Sequence, residues 1–380
     1  MKKAIQKALV WLYVTTYFRH IYVRNNNSSD PINMLVLSHR NGAIDGFVYH
    51  YAFKKGTFLL ARQLQKNFFL RFIFPGISIY RSKDAKDAAA SNMLAIKGCL
   101  NVMKGKDGPL CIFPEGTSNL GPKHLPFFNG YAKMACLNAK SEGKTTLLPV
   151  AIVYDDPTCL GGSVWIVTGK QIDVTKKMDI ETIQKKTLEA FEKVTLSYET
   201  EKEQLESHQT AVIASLSKKA DYYECLKRTE QKNSFASIIR TYNKKTSPKA
   251  FKYKQTVIYP QSFIKSLWVF LITLPIVVPS LIINIIPISI GYWAGTKRKH
   301  DPNTISLWRA LAGYPVGFIF YLILALFCPL AAVLILPFSL WGLHLYGAYK
   351  KHLYALLNFI FYHSSYSYFK EAQNDILSKL

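Results

Sequence analysis

The sequence predicts an α/β domain with a mostly parallel sheet flanked by helices, extended by a charged helical segment and by C-terminal membrane-embedded helices. Three observations carry this expectation. Short apolar runs of strand length alternate with helical stretches over the first 170 residues, the pattern of a parallel sheet with crossover helices. A glycine-free stretch rich in Lys, Glu, Gln and Thr follows from Thr175 to about Lys232. Two long runs nearer the C-terminus, 266–296 and 310–349, contain no Asp, Glu, Lys or Arg. A bilayer core needs about 20 apolar residues in helical form, so each run can span or form a re-entrant hairpin.

Composition narrows the function classes. The 380 residues hold 48 Lys plus Arg against 24 Asp plus Glu, a formal net charge of +24. Yet 49% are hydrophobic and 14% aromatic, which excludes a disordered chain. A soluble nucleic-acid binder or a membrane protein touching anionic surfaces would both carry such a charge. Nucleic-acid binding needs aromatics interleaved with basic residues, whereas here the aromatics concentrate in the apolar runs. The expected partner is therefore an anionic bilayer, with no nucleic acid. None of the six cysteines has zinc-site spacing, and none suggests a disulfide framework, as befits a reducing compartment.

Taken in order, residues 1–28 read as a basic amphipathic helix lying in the membrane interface. Lys2, Lys3 and Lys7 precede an apolar run, and Ile5, Ala8, Leu9 and Leu12 share one face. Packing on the domain core would use such a helix equally well. Residues 29–174 form the α/β domain, with strands expected at 34–37, 110–113, 147–154 and 164–168 and helices at 87–103 and 131–140. Residues 175–260 are a charged helical extension and linker, whose last part approaches anionic headgroups. Residues 261–349 are membrane-embedded. Pro275, Pro279 and Pro287 interrupt the first run, which reads as a kinked span or a hairpin bent near 274–279. The second reads as two helices meeting near Pro329. Lys297, Arg298, Lys299 and Arg309 lie between the runs and place that loop on the cytoplasmic side. Residues 350–380 are a C-terminal tail.

Four motifs carry chemistry. Ser38-His39-Arg40-Asn41-Gly42-Ala43-Ile44-Asp45 directly follows a buried strand, where open α/β sheets place their sites. A carboxylate near a histidine can accept its Nδ1 proton and leave Nε2 as the base. Gly76-Ile77-Ser78-Ile79-Tyr80-Arg81 ends on an arginine, the best side chain for a phosphate. Phe113-Pro114-Glu115-Gly116-Thr117-Ser118 forms a tight turn after the second strand, able to present donors to an anion. Leu148-Pro149-Val150 places a proline in an apparent strand, which suggests a strand start or edge.

These four blocks, in this order, resemble the PlsC-type glycerolipid (lysophospholipid) acyltransferase superfamily, with its glycerol-3-phosphate and 1-acylglycerol-3-phosphate acyltransferases. The resemblance covers roughly residues 30–170, and Leu125-Pro126-Phe127 with Gly130 is similar to the family's extension of the third block. It implies acyl transfer from acyl-CoA or acyl carrier protein to a glycerol hydroxyl in phospholipid biosynthesis. His39 and Asp45 would be catalytic. Arg81, Glu115, Gly116, Thr117, Ser118 and Pro149 would bind the phosphate-bearing glycerol acceptor, with Glu115 shaping the loop or meeting glycerol hydroxyls. No metal and no cofactor are implied, the thioester being a substrate. One departure stands out: five residues separate His39 from Asp45 where the family usually has four. Positions i and i+6 do not share a helical face, so Asp45 reaches His39 only if the chain bulges, which Gly42 permits. That spacing supports an alternative, a catalytically inactive lipid-binding or scaffold protein of the same fold. A hydrolase lacks support, since no Gly-x-Ser-x-Gly elbow is present.

Overall fold

A computed structural model describes residues 2–24, 31–62, 72, 76–80, 92–105, 108–217, 220–230, 234–297 and 302–380. Helix α1 (Lys2–Tyr17) runs directly into strand β1 (Phe18–Arg24). There follow β2 (Met34–Leu37), α2 (Ala43–Phe53), β3 (Thr57–Ala61), β4 (Gly76–Ile79), α3 (Met93–Lys104), β5 (Leu110–Ile112), α4 (Gly130–Glu142), β6 (Lys144–Tyr154), β7 (Gly162–Thr168) and β8 (Ile172–Thr175). The strands form one sheet in the order β1-β7-β6-β2-β5-β3-β4, with β8 also pairing β6. Pairings from β6 through β2, β5 and β3 to β4 are all parallel, as is β1 with β7. Within this sheet, only β6 with β7 and with β8 is antiparallel among the described strands. The predicted fold class is the one observed.

Period-two alternation builds the two faces. Leu35 and Leu37 of β2 join Val150 and Ile152 of β6 in a core capped by α1 and α2. Met34, Val36 and Leu147 face the opposite side, against α3 and α4. Helix α1 serves two environments. Gln6, Val10, Tyr13, Val14 and Tyr17 are buried against the domain, whereas Ile5 and Trp11 of the opposite face are exposed. The helix expected over 1–28 ends at Tyr17, and 18–24 is a strand of the sheet instead.

Pro149 corrects an expectation. It starts no strand and lies on no sheet edge. It sits inside β6, opposite Val36 of β2. On its other side β6 changes partner, from β8 at 144–147 to β7 at 150–154. The Pro149 carbonyl accepts from Gly169 N (2.8 Å), so the proline nitrogen faces that same junction, where no ladder bond is required.

The charged segment lies against the sheet. Helices α5 (Ile180–Glu192), α6 (Glu201–Ser215), α7 (Tyr222–Thr229) and α8 (Ser234–Lys245) are followed by the hairpin β9 (Lys252–Tyr253) and β10 (Thr256–Val257). Asp179 caps α5 by accepting Thr182 N (2.8 Å), and Ile183, Thr187, Ala190 and Phe191 give it a buried stripe at helical spacing. Val212, Ile213, Tyr222 and Phe235 pack onto Ala151, Val153, Trp165 and Val167, covering the β6–β7 end.

The charge-free runs form helices α9 (Phe263–Ile283), α10 (Ile285–Thr296), α11 (Ile305–Phe327) and α12 (Pro329–Phe361). By length and composition α9, α12 and 302–327 can each cross a membrane. Trp268, Ile272, Leu326, Phe327 and Leu330 are all exposed, an apolar surface that suits lipid rather than water. The first run breaks at Asn284, not near 274–279, and Pro275 and Pro279 lie inside α9. The second breaks at Cys328, as expected. Close backbone approach holds the helices together: a Cβ at Gly342 of α12 would meet Ser280 Oγ of α9 at 1.9 Å. The tail is folded. Helix α12 continues to Phe361, and α13 (Tyr366–Lys379) buries Phe369 and Ile376 against α8 and α6.

Candidate active site

The site forms where β2, β5 and β6 end, at the carboxyl edge of the parallel strands. Ser38 extends the β2–β6 ladder one step, its N–H donating to Val150 O (2.9 Å) and its Oγ accepting from Ile152 N (2.8 Å). The chain then leaves the sheet, and α2 begins at Ala43. Gly42 makes the reversal with φ +53°, a conformation that disfavours any side chain. Residues 39–42 are thus a turn, not helix, and the i, i+6 objection lapses. Asp45, in the first turn of α2, reaches back to place Oδ2 2.9 Å from His39 Nδ1.

Asp45 is fully buried yet completely satisfied. Oδ2 also accepts Arg40 N (2.6 Å) and Asn41 N (2.8 Å), and Oδ1 accepts Tyr154 Oη (2.6 Å). Two backbone amides and a helix N-terminus make this a good place for a negative charge. Burial, with the Asp45 charge beside it, pushes the Tyr154 phenol well above its ordinary value, so it stays a donor. The carboxylate therefore fixes the imidazole with Nδ1–H toward Asp45 and leaves Nε2 as the basic nitrogen. His39 stacks on Phe113 (centroids 4.3 Å apart), which holds the ring plane.

The turn after β5 is tied to His39 from behind. Glu115 is buried, and its Oε1 accepts His39 N (2.9 Å) while Oε2 accepts Leu125 N (2.8 Å). Each carboxylate oxygen is occupied by a backbone amide, which makes Glu115 a clamp of the loop. Asn119 N donates to His39 O (2.9 Å), and Arg40 Nη2 donates to Gly121 O (2.8 Å). Gly116 has φ +69°, and a Cβ there would strike the Phe128 ring. Thr117 is exposed and Ser118 partly so, on the open side of the turn. Pro149 is buried within the sheet, and Arg81 lies outside the described residues. A cavity of about 780 Å³ opens between this turn and the helical extension, walled by Ser38, Arg40, Leu120, Tyr198, Gln204 and His208 but not by His39.

Burial raises the Glu115 carboxyl above its ordinary value, and the two amide bonds and Arg40 only partly offset this. A carboxyl raised in the folded state contributes stability at low pH and loses it as pH rises through the folded value. Glu115→Gln should remove that pH dependence from the Tm profile. At neutral pH it should still cost about 1–2 kcal/mol, because its NH2 faces one of the two amides. Glu115→Ala, which strands both, should cost about 2–4 kcal/mol by thermal unfolding.

Residues 20–153 match the family model described as Acyltransferase. Over 191 residues the chain is 27% identical to a 1-acyl-sn-glycerol-3-phosphate acyltransferase of Borreliella burgdorferi, covering 48% of this chain and 71% of that protein. The crystal structure of the 1-acyl-sn-glycerophosphate (LPA) acyltransferase PlsC from Thermotoga maritima is similar over 50% of this chain and 78% of that one, at 19% identity and a TM-score of 0.38. The matched family span contains His39, Asp45 and the whole turn after β5, and it stops at the end of β6. Over the residues that hold the His39–Asp45 turn and the turn after β5, the α/β unit of this chain is thus similar to acyltransferases, a 1-acyl-sn-glycerol-3-phosphate acyltransferase among them.

Proposed function

We propose that this chain is a membrane-bound O-acyltransferase that moves a fatty acyl group from an acyl thioester to glycerol-3-phosphate or its 1-acyl derivative. The observation that carries the reading is the buried, fully satisfied Asp45 holding His39 Nδ1 at 2.9 Å, with Nε2 left for a substrate hydroxyl. In this mechanism Nε2 takes the acceptor's hydroxyl proton as the oxygen attacks the thioester carbonyl. The tetrahedral oxyanion is stabilised by backbone and hydroxyl donors of the turn at 117–118. The C–S bond then breaks, and the thiolate leaves with the proton held by His39. Asp45 supports the imidazolium throughout without itself taking the proton. Arg81, Thr117 and Ser118 hold the acceptor's phosphate and glycerol. The basic surface suits an acidic donor, either acyl-CoA or acyl carrier protein, and the apolar helices suit a membrane, with the site on its cytoplasmic face.

The test is a panel of acceptors against one labelled acyl-CoA, using the full chain in detergent or nanodiscs. Labelled product from glycerol-3-phosphate or 1-acylglycerol-3-phosphate is expected. Release of free fatty acid with no acylated glycerol phosphate would contradict the reading.

A further inference from the structure

We infer that Asn303, supplied by the loop between α10 and α11, is a positioning residue for the turn that follows β5; only the kinetic arm of its test rests on the acyltransferase reading. Asn303 lies in the short 3-10 turn Pro302–Thr304 that leads into α11, far outside the matched span 20–153. Its side-chain amide bridges the turn: Oδ1 accepts Leu120 N (3.1 Å), and Nδ2 donates to Ser118 O (3.0 Å). These bonds bracket Asn119, whose own N–H donates to His39 O (2.9 Å). The backbone oxygen of Asn303 also lies where a Cβ at Gly42 would meet it at 2.9 Å. One residue of the membrane segment therefore touches both the His39–Asp45 turn and the proposed acceptor loop.

The residue type matters. An amide offers a donor and an acceptor side by side, matching a backbone carbonyl and an N–H on the same loop. Aspartate would keep the bond from Leu120 N but set a charge against the Ser118 carbonyl. Alanine loses both bonds. Nearby contacts have a different task. Ser306 Oγ donates to Pro157 O and Arg309 Nη1 to Thr158 O, and Tyr314 Oη pairs with Thr16 Oγ1 (2.6 Å). These dock α11 on the domain without bonding 118–120. On the far side of the turn, Leu120 O accepts Arg40 Nη2 (3.2 Å) and Gln204 Nε2 (3.1 Å). The loop is thus held between the helical extension and the membrane segment, and Asn303 is the membrane segment's grip on it.

The experiment uses the full chain in nanodiscs and compares N303A, N303D and S306A. Hydrogen exchange over 118–121 and the KM values for glycerol-3-phosphate, 1-acylglycerol-3-phosphate and acyl-CoA are measured. N303A should raise the acceptor KM about tenfold, with kcat and the acyl-CoA KM changed by less than about threefold, since misplacement of a binding loop weakens ground-state positioning. Exchange over 118–121 should speed up about tenfold or more. N303D should be at least as impaired, and S306A should leave the acceptor KM unchanged. An acceptor KM within about twofold of wild type in N303A would overturn the inference. So would a fall in kcat that merely tracks a lower Tm with both KM values intact. If wild type acylates none of the acceptors, the acyltransferase reading fails instead, and exchange decides alone: faster exchange in N303A sustains the inference, unchanged exchange overturns it.

Discussion

Replacing His39 by alanine is expected to lower kcat/KM for acyl transfer by about 10²–10⁴-fold, with the far-UV spectrum and Tm preserved. The fold should survive, because His39 lies beyond the end of β2, with a partly exposed side chain, and Glu115 and Asn119 grip its backbone rather than its ring. In the proposed mechanism the loss has one cause, the missing Nε2 that would take the acceptor's proton. Asp45→Asn separates orientation from charge. The amide oxygen can still accept His39 Nδ1–H, but the imidazolium that develops during attack loses its counter-charge. A drop nearly as large as that of H39A is expected. It should come with a modest loss of stability, because Asp45 also organises Arg40 N, Asn41 N and Tyr154. Retention of activity within about threefold in H39A would remove the general-base mechanism altogether.

Legibility in the sequence followed burial. Strands β2, β5, β6 and β7 are buried on both faces and read as continuous apolar runs. Strand β1 reads Phe-Arg-His-Ile-Tyr-Val-Arg, and as an edge strand it is half exposed, with His20, Tyr22 and Val23 open to solvent. Its charges continue those of α1, so the two merge into one amphipathic segment when read locally. Strand β8, Ile-Asp-Val-Thr, is likewise half exposed and too short to stand out. The His39–Asp45 pair was legible as a pair of residue types, but helical geometry gave the wrong distance. The turn at Gly42 takes residues 39–42 out of the helix, and only Asp45 belongs to it. Tyr154 and Asn303 left no local signal. Tyr154 is 109 residues from the carboxylate it binds, and it enters because parallel strands finish at one edge of the sheet. Asn303 is an ordinary loop residue until the C-terminal apolar helices fold back onto the domain.

Lys254→Met should be the most destabilising single change outside the site, at about 3–5 kcal/mol and roughly a 10 °C fall in Tm. Lys254 occupies the β9–β10 turn with φ +48° and forms a buried ion pair with Asp155. Asp155 Oδ1 accepts Ser163 N (2.7 Å), and Lys254 O accepts His208 Nε2 (2.8 Å), so the pair joins the sheet, the hairpin and α6. Removing the ammonium leaves a carboxylate with almost no access to water and no counter-charge. Burial alone would pull the Lys254 ammonium down, but the Asp155 charge outweighs it and holds the group above its ordinary value. A lysine raised in the folded state contributes stability that is complete below its unfolded value and is lost only as pH rises through the folded one. The Tm gap between wild type and K254M should therefore stay constant from about pH 6 to 9 and narrow only in strong alkali. The double change K254M/D155N should recover much of the loss, because the cost lies in the stranded charge rather than in a missing contact. Asp155 directly follows Tyr154, so loosening the pair also frees the strand end that carries the Asp45 donor. K254M assayed well below its Tm should show a reduced kcat with unchanged KM for acyl-CoA, whereas full activity there would mean the pair serves stability alone.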